Sequence, residues 1–237
     1  VVDAFASLST VDLKVQDDLT VTDDVSIGGD LATTGASTAA SYNGITSKTF
    51  GTSSIMIGDT TTGTIDAANY NTGVGVDVFA ALTTGDSNVA VGYQTLNSVT
   101  TGSNNVAVGS YVLDANTTAS DNTSIGFASL TSNTTGASNT ALGKDSLNAN
   151  TTAANNTAVG YQSLYLNTTG ANNVAVGYVA LDANTTGASN VAVGAGSLGA
   201  NTTANSNVGV GVDSLNANTT GTQNSAIGTS ALAAATT

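Results

Sequence analysis

The 237-residue chain contains no Cys, His, Pro or Trp. It has no Arg and no Glu either: its cations are Lys14, Lys48 and Lys144, and all 16 acidic residues are Asp, for a formal charge of −13. Each absence closes a class of function. Without His or Cys there is no imidazole base, thiolate nucleophile or ordinary zinc cluster. Three Lys against that negative balance cannot neutralise a phosphate backbone, so no nucleic-acid partner is expected. Without Cys no disulfide staples the fold, and the compartment cannot be read from redox chemistry. Charged residues make up 8% of the chain, against roughly 25% in soluble globular domains. Even so, no stretch approaches the roughly 20 apolar residues of a spanning helix, so no membrane insertion is expected. The good surface helix formers are nearly gone, and Val, Thr, Asn and Gly take their place, which favours strands and turns. No signal peptide opens the chain, which begins Val1-Val2 as a processed or partial chain would.

What is present is a repeat. Gly75, Gly92, Gly109, Gly126, Gly143, Gly160, Gly177, Gly194, Gly211 and Gly228 stand 17 residues apart without insertion or deletion. Four residues before each is an Asn, from Asn71 to Asn224. Four residues after each is a large apolar residue: Phe79, then Leu96 and its equivalents to Leu232. A degenerate eleventh unit, Ser54-Ile55-Met56-Ile57-Gly58, keeps the register upstream. Self-similarity at such a period marks a solenoid, in which each unit buries its apolar face only against its neighbours.

Within a unit the pattern has period two. In Asn173-Val174-Ala175-Val176-Gly177 the two Val share one face, and Asn, Ala and Gly share the other, as in a strand. The parity of Leu181, Ala183 and Thr185 predicts a second strand. Gly after the first strand and Asn-Thr-Thr-Gly after the second supply the corners. This reading buries two Val and one Leu per coil, at roughly 1.5–3 kcal/mol each. Ordering each residue costs about 1.5 kcal/mol, so no coil folds alone. One large apolar residue per second strand leaves a thin core, which predicts an oligomer. The fold class expected is all-β, a parallel β-roll or solenoid of 17-residue coils.

The N-terminal stretch has another period, of six: Asp12-Leu13-Lys14-Val15, Asp18-Leu19-Thr20-Val21, Asp24-Val25-Ser26-Ile27 and Asp30-Leu31. Three short alternating units cannot close a core in one chain, but three chains wound together can. Residues 1–31 are therefore expected to form a β stalk, 32–53 a connector and 54–237 a roll of about eleven coils.

The coil motif, as in Asn156-Thr157-Ala158-Val159-Gly160-Tyr161-Gln162-Ser163-Leu164, resembles the head repeats of trimeric autotransporter adhesins. It resembles still more closely the repeats of marine bacteriophage tail-fibre proteins. The resemblance covers roughly residues 54–237, and the hexads resemble phage fibre shafts. It implies a left-handed parallel β-roll, a homotrimer and a role in surface attachment, on a virion tail or at the cell surface. These residues contain no counterpart of the adhesins' membrane anchor, which sets the phage branch first. The alternative is a self-polymerising extracellular filament. There, N-terminal strands would pair with the open last coil of the next molecule, which shows no polar cap and ends Ala233-Ala234-Ala235-Thr236-Thr237.

Candidate sites follow the columns of the stack. Tyr93, Phe127, Tyr161 and Tyr178 each follow the repeat Gly and form one aromatic column. Such a column suits stacking on a cell-surface glycan or anchoring a receptor; the competing role, set ahead of these, is burial against a neighbouring subunit. Asn88, Asn105, Asn122, Asn139, Asn156, Asn173, Asn190, Asn207 and Asn224 are expected to form a structural amide ladder. Asn-Thr-Thr recurs at Asn116, Asn133, Asn150, Asn167, Asn184, Asn201 and Asn218. It matches the N-glycosylation acceptor pattern but is also a plain corner sequence. The adjacent Thr of each pair point to opposite faces, so only one column is presented, which argues against ice binding. Asp17-Asp18 and Asp23-Asp24, tripled around an axis, would suit Ca²⁺, but a solvated stalk surface that discourages edge aggregation is set ahead of that role. They are also the only conceivable acid–base dyads, and on a stalk they lack a pocket. No enzyme activity, resident metal or cofactor is expected.

Overall fold

The computed structural model describes residues 40–42, 45–48, 55–58 and 68–236, all within one compact unit, Ser37–Thr237. The expected stalk at 1–31, with its Asp pairs, lies outside the described residues.

The unit is an all-β solenoid. Strands β1 (Ala40–Tyr42) and β2 (Ile45–Lys48) form an antiparallel pair, and β2 pairs antiparallel with β3 (Ile55–Gly58). Both β1 and β2 fall in the stretch expected as a connector. From β3 onward every pairing is parallel. β4 (Thr72–Gly75) is followed by β5 (Val89–Val91), β6 (Val106–Val108), β7 (Thr123–Ile125), β8 (Thr140–Leu142) and β9 (Thr157–Val159). Then come β10 (Val174–Val176), β11 (Val191–Val193), β12 (Val208–Val210) and β13 (Ser225–Ile227). All thirteen strands make one sheet in sequence order. Each residue of the roll faces its equivalent 17 positions on, as Val174 faces Val191 and Thr157 faces Val174. The stack from β4 to β13 is about nine turns of 17-residue coils.

Two expectations about the coil are corrected. The first concerns which face of the strand is inside. The strands carry a half-exposed, buried, half-exposed pattern: Ala175 is fully buried, and Val174 and Val176 face outward. The interior is therefore the Asn and Ala side of the strand, closed by the Leu of the return segment. The reason is room. Leu147, Leu164 and Leu181 are fully buried, and opposite them the narrow coil has space for a methyl group but not for a second branched side chain.

The second correction concerns the return segment, which is not a strand. It is a run of turns in which residues two and four past the Gly have positive φ, as in Val179 (φ 47°) and Leu181 (φ 54°). These left-handed residues break the expected parity, so that Leu181 and Asn184, three apart, both point inward. The segment nevertheless bonds coil to coil much as a strand would: Leu164 N–H donates to the Ala180 carbonyl and Val179 N–H to the Tyr161 carbonyl.

The repeat Gly stands at the corner with φ of 127–143°. A Cβ at Gly177 would lie 2.6 Å from the carbonyl carbon of Gly194, so a side chain is excluded by both backbone conformation and the coil above.

Candidate functional site

The site is built on the column that follows the corner Gly. Tyr93, Phe127, Tyr161 and Tyr178 project to solvent, with 41, 49, 38 and 61% of their surface exposed. Tyr111, from the neighbouring position, fills the coil between Tyr93 and Phe127. Its ring lies edge-on to both, at centroid distances of 5.3 and 5.9 Å. Lys144 occupies the column between Phe127 and Tyr161, with its Nζ 5.9 Å from one ring centroid and 5.7 Å from the other. Tyr161 and Tyr178 are stacked at 5.5 Å with 12° between their planes. The result is one unbroken stripe over six successive coils, roughly 24 Å long at about 4.8 Å per step.

Sequence reasoning placed four of these six residues. Tyr111 was missed because it stands two residues past its Gly rather than one. Lys144 holds the column position itself, but a search for aromatic residues passes over a cation that joins rings by cation–π contact. Beside the stripe, Lys144 also meets Asp145 at 3.6 Å.

The Asn column expected as a ladder lies in the interior. Asn156 N–H donates to Asn139 Oδ1 at 2.9 Å, and its amide donates to the Gly170 carbonyl at 2.9 Å. Asn173 and Asn190 repeat this arrangement one and two coils on. Each side chain thus ties its strand start to the coil that follows, by one acceptor and one donor.

The Asn-Thr-Thr corners form a second interior ladder. Asn116, Asn133, Asn150, Asn167, Asn184, Asn201 and Asn218 are all fully buried. The Asn167 amide donates to Asn150 Oδ1 at 3.0 Å and to the Gly170 carbonyl at 2.9 Å. In the folded solenoid these amides face away from any modifying enzyme. The first Thr is half-buried in six of the seven corners, and in five of those six its hydroxyl donates to the next coil's carbonyl, as Thr151 does to Thr168 at 3.1 Å. The second Thr of each pair, such as Thr152, is exposed, as is Thr219 at the last corner.

Two acidic groups are perturbed. Burial raises the carboxyl pKa of Asp114, and it raises that of Asp182 against the opposing pull of backbone hydrogen bonds from Asp182 and Ala183. Both hold the fifth position after the corner Gly, where other coils place a donor: Asn148 to the Ala128 carbonyl at 2.9 Å, and Thr131 to the Tyr111 carbonyl at 2.8 Å. Neither Asp stands in a cluster. Among the described residues no group of three or more metal-ligating side chains comes together, and no helix is long and apolar enough to cross a membrane.

No protein-family model, no curated protein and no solved structure matches this chain.

Proposed function

We propose that the chain is a structural segment of an attachment fibre, a virion tail fibre ahead of a cell-surface adhesin, working outside the cell without catalysis. One observation carries this reading: the apolar column that the strands turn outward. The last residue before each corner Gly is Val74, Val91, Val108, Ile125, Leu142, Val159, Val176, Val193, Val210 and Ile227 in turn, aliphatic in all ten coils. All ten are half-exposed or exposed. Monomeric proteins rarely leave a contiguous apolar strip of that length uncovered, and here it runs roughly 43 Å at about 4.8 Å per step. A second copy of the same chain is the occupant that matches it, coil for coil. Three copies around an axis turn every such column inward, so a homotrimer is the assembly proposed, with each solenoid lending the others the apolar partner its thin interior lacks. The function is then mechanical: a stiff rod holds a contact surface away from its base.

A second reading, the self-polymerising filament, has one observation in its favour. Strand β13 has no further partner among the described residues, and Ile227 in it is 79% exposed. Strand addition from the N-terminal hexads of another molecule would cover that edge.

Native mass by light scattering, with negative-stain images of the same sample, tests both. A uniform short rod of three chain masses is expected. Val176→Ser with Val193→Ser should shift it toward the monomer without unfolding the coil, because neither side chain faces the interior. Concentration-dependent filaments would replace the first reading with the second, and a monomer at high concentration would remove both.

A further inference from the structure

We propose that the stripe from Tyr93 to Tyr178 is a binding track for an extended, uncharged β-linked polysaccharide lying parallel to the solenoid axis. The inference deepens the attachment reading, on which it rests, by assigning the contact surface and the chemical class it takes.

The stripe differs in kind from the aliphatic column beside it. That column carries no charge in any coil, whereas the stripe has Lys144 at its centre, with 54% of its side chain exposed. Interface cores are depleted in Lys, and burying an ammonium against apolar side chains is costly. A neighbouring copy of this chain therefore covers the aliphatic column more readily than the stripe.

The rings are also held in place before any ligand arrives. Each touches the next by edge contact, stacking or the shared ammonium, so little side-chain freedom remains to be lost on binding. Pyranose rings present apolar C–H groups that pack against the exposed parts of these rings, and the end of the stack at Tyr178 adds a face for stacking. Their hydroxyls need donors and acceptors at the edge of the platform, and the position next to the column supplies Gln94, Asp145 and Gln162, all half-buried.

One seat stands out. Tyr178 stacks on Tyr161 along the column, so its other face looks toward the next coil. There the column narrows to Ala195 before widening again at Val212. Ala195 is half-buried, and Tyr178 is 61% exposed.

Charge selects the class. Lys144 is the only cation among residues 49–237, and Asp145 stands 3.6 Å away. The whole chain carries −13, a field that repels acidic polymers. An uncharged chain meets no such barrier. A β-1,4-linked chain stays extended, and each hexose advances it by nearly the rise of one coil, about 4.8 Å, so its repeat keeps step with the coils along the stripe.

Native electrophoresis of the full chain in gels containing hydroxyethylcellulose, galactomannan or carboxymethylcellulose tests this, with native mass measured on every variant. Retardation by at least one of the two uncharged polymers is expected. It should weaken about tenfold or more in Tyr178→Ala, the loss typical of removing a central aromatic anchor. It should persist in Tyr70→Ala, an exposed tyrosine off the stripe. No retardation by either uncharged polymer, with the oligomer intact, overturns the track and leaves the fibre reading standing. Retardation of a monomeric chain keeps the track and removes the fibre. A change of native mass in Tyr178→Ala assigns the stripe to self-association and overturns the proposal. Stronger retardation by carboxymethylcellulose, lost in Lys144→Met, overturns the uncharged class.

Discussion

Asn139 Oδ1 accepts the backbone N–H of Asn156 at 2.9 Å, and Asn156 Oδ1 in turn accepts that of Asn173 at the same distance. One side chain thus serves as acceptor for the coil above and, through its amide, as donor to the Gly170 carbonyl. Asn156→Ala leaves the buried Asn173 N–H unpaired, while the Gly170 carbonyl keeps its bond from the Asn167 amide. The expected outcome is a loss of about 1–3 kcal/mol, with faster hydrogen exchange at Asn173 and its flanking coils and near-normal protection several coils away, because a solenoid transmits disturbance only through neighbours.

The second ladder has a defective first rung. Asn116 Oδ1 is buried without a partner, for Asn133, one coil on, turns its amide to the Gly136 carbonyl where Asn150 and Asn167 also donate to the Asn one coil before. Its amide donates to the Ala119 carbonyl at 3.1 Å, an atom that also accepts from Asn105 at 3.0 Å. Asn116→Val therefore removes an orphan acceptor and strands nothing. Thermal unfolding should show it neutral or stabilised, within about 1 kcal/mol. The same substitution at Asn150, which donates to Asn133 and accepts from Asn167, should cost roughly 2–4 kcal/mol by the loss of both bonds.

Val179 has φ of 47°, a conformation that is a true outlier for a β-branched residue. The equivalent position holds Gly196 one coil later. Val179→Gly should relieve local strain of about 1–2 kcal/mol, partly offset by the entropy that Gly adds to the unfolded chain. A net rise in melting temperature is expected; a fall would mean that the half-buried side chain contributes more by packing than its backbone costs.

Asp182 is held above the ordinary carboxylate pKa by burial. The native state therefore binds its proton more tightly than the unfolded state does, and stability contributed by this group falls as pH rises through that window. Asp182→Asn should stabilise the chain at neutral pH by removing a desolvated charge. It should also supply a donor toward the Gln162 carbonyl, as Asn148 does toward Ala128, for about 1 kcal/mol. The difference in melting temperature from the parent should shrink as pH falls toward the ordinary value of 3.8, since a protonated Asp182 carries no charge and can donate as well. A gap independent of pH would assign the whole effect to the amide.

The repeat length, the parallel stacking and the strand were legible because a Gly every 17 residues and a period-two pattern each admit one simple backbone. The side of the strand that faces in was not. Val174 and Val176 are the more apolar pair, and transfer free energy alone buries them. What decides the matter is volume, since Leu181 crosses a narrow coil and leaves room for Ala175. The return segment was misread for a related reason. Alternation of Leu181, Ala183 and Thr185 looks like a strand, but parity assumes extended dihedrals, and no composition cue reveals that this Leu, like Phe79 in the first coil, adopts positive φ. The aromatic column was legible in four members, and Tyr111 and Lys144 needed the turn geometry to place them.

In-register pairing at a constant 17-residue offset has an evolutionary consequence. Removing residues 140–156 would join Asn139 to Thr157, the equivalent of its own neighbour Thr140, and copying them once more would make the same junction from Asn156 to Thr140, so every rung of both ladders keeps a matching partner. Gene segments coding for whole coils can be lost or duplicated by unequal recombination without a folding penalty at the junction. Length in such a protein can be set by counting, in steps of about 4.8 Å, and can change in one generation while the surface chemistry of each remaining coil stays as it was.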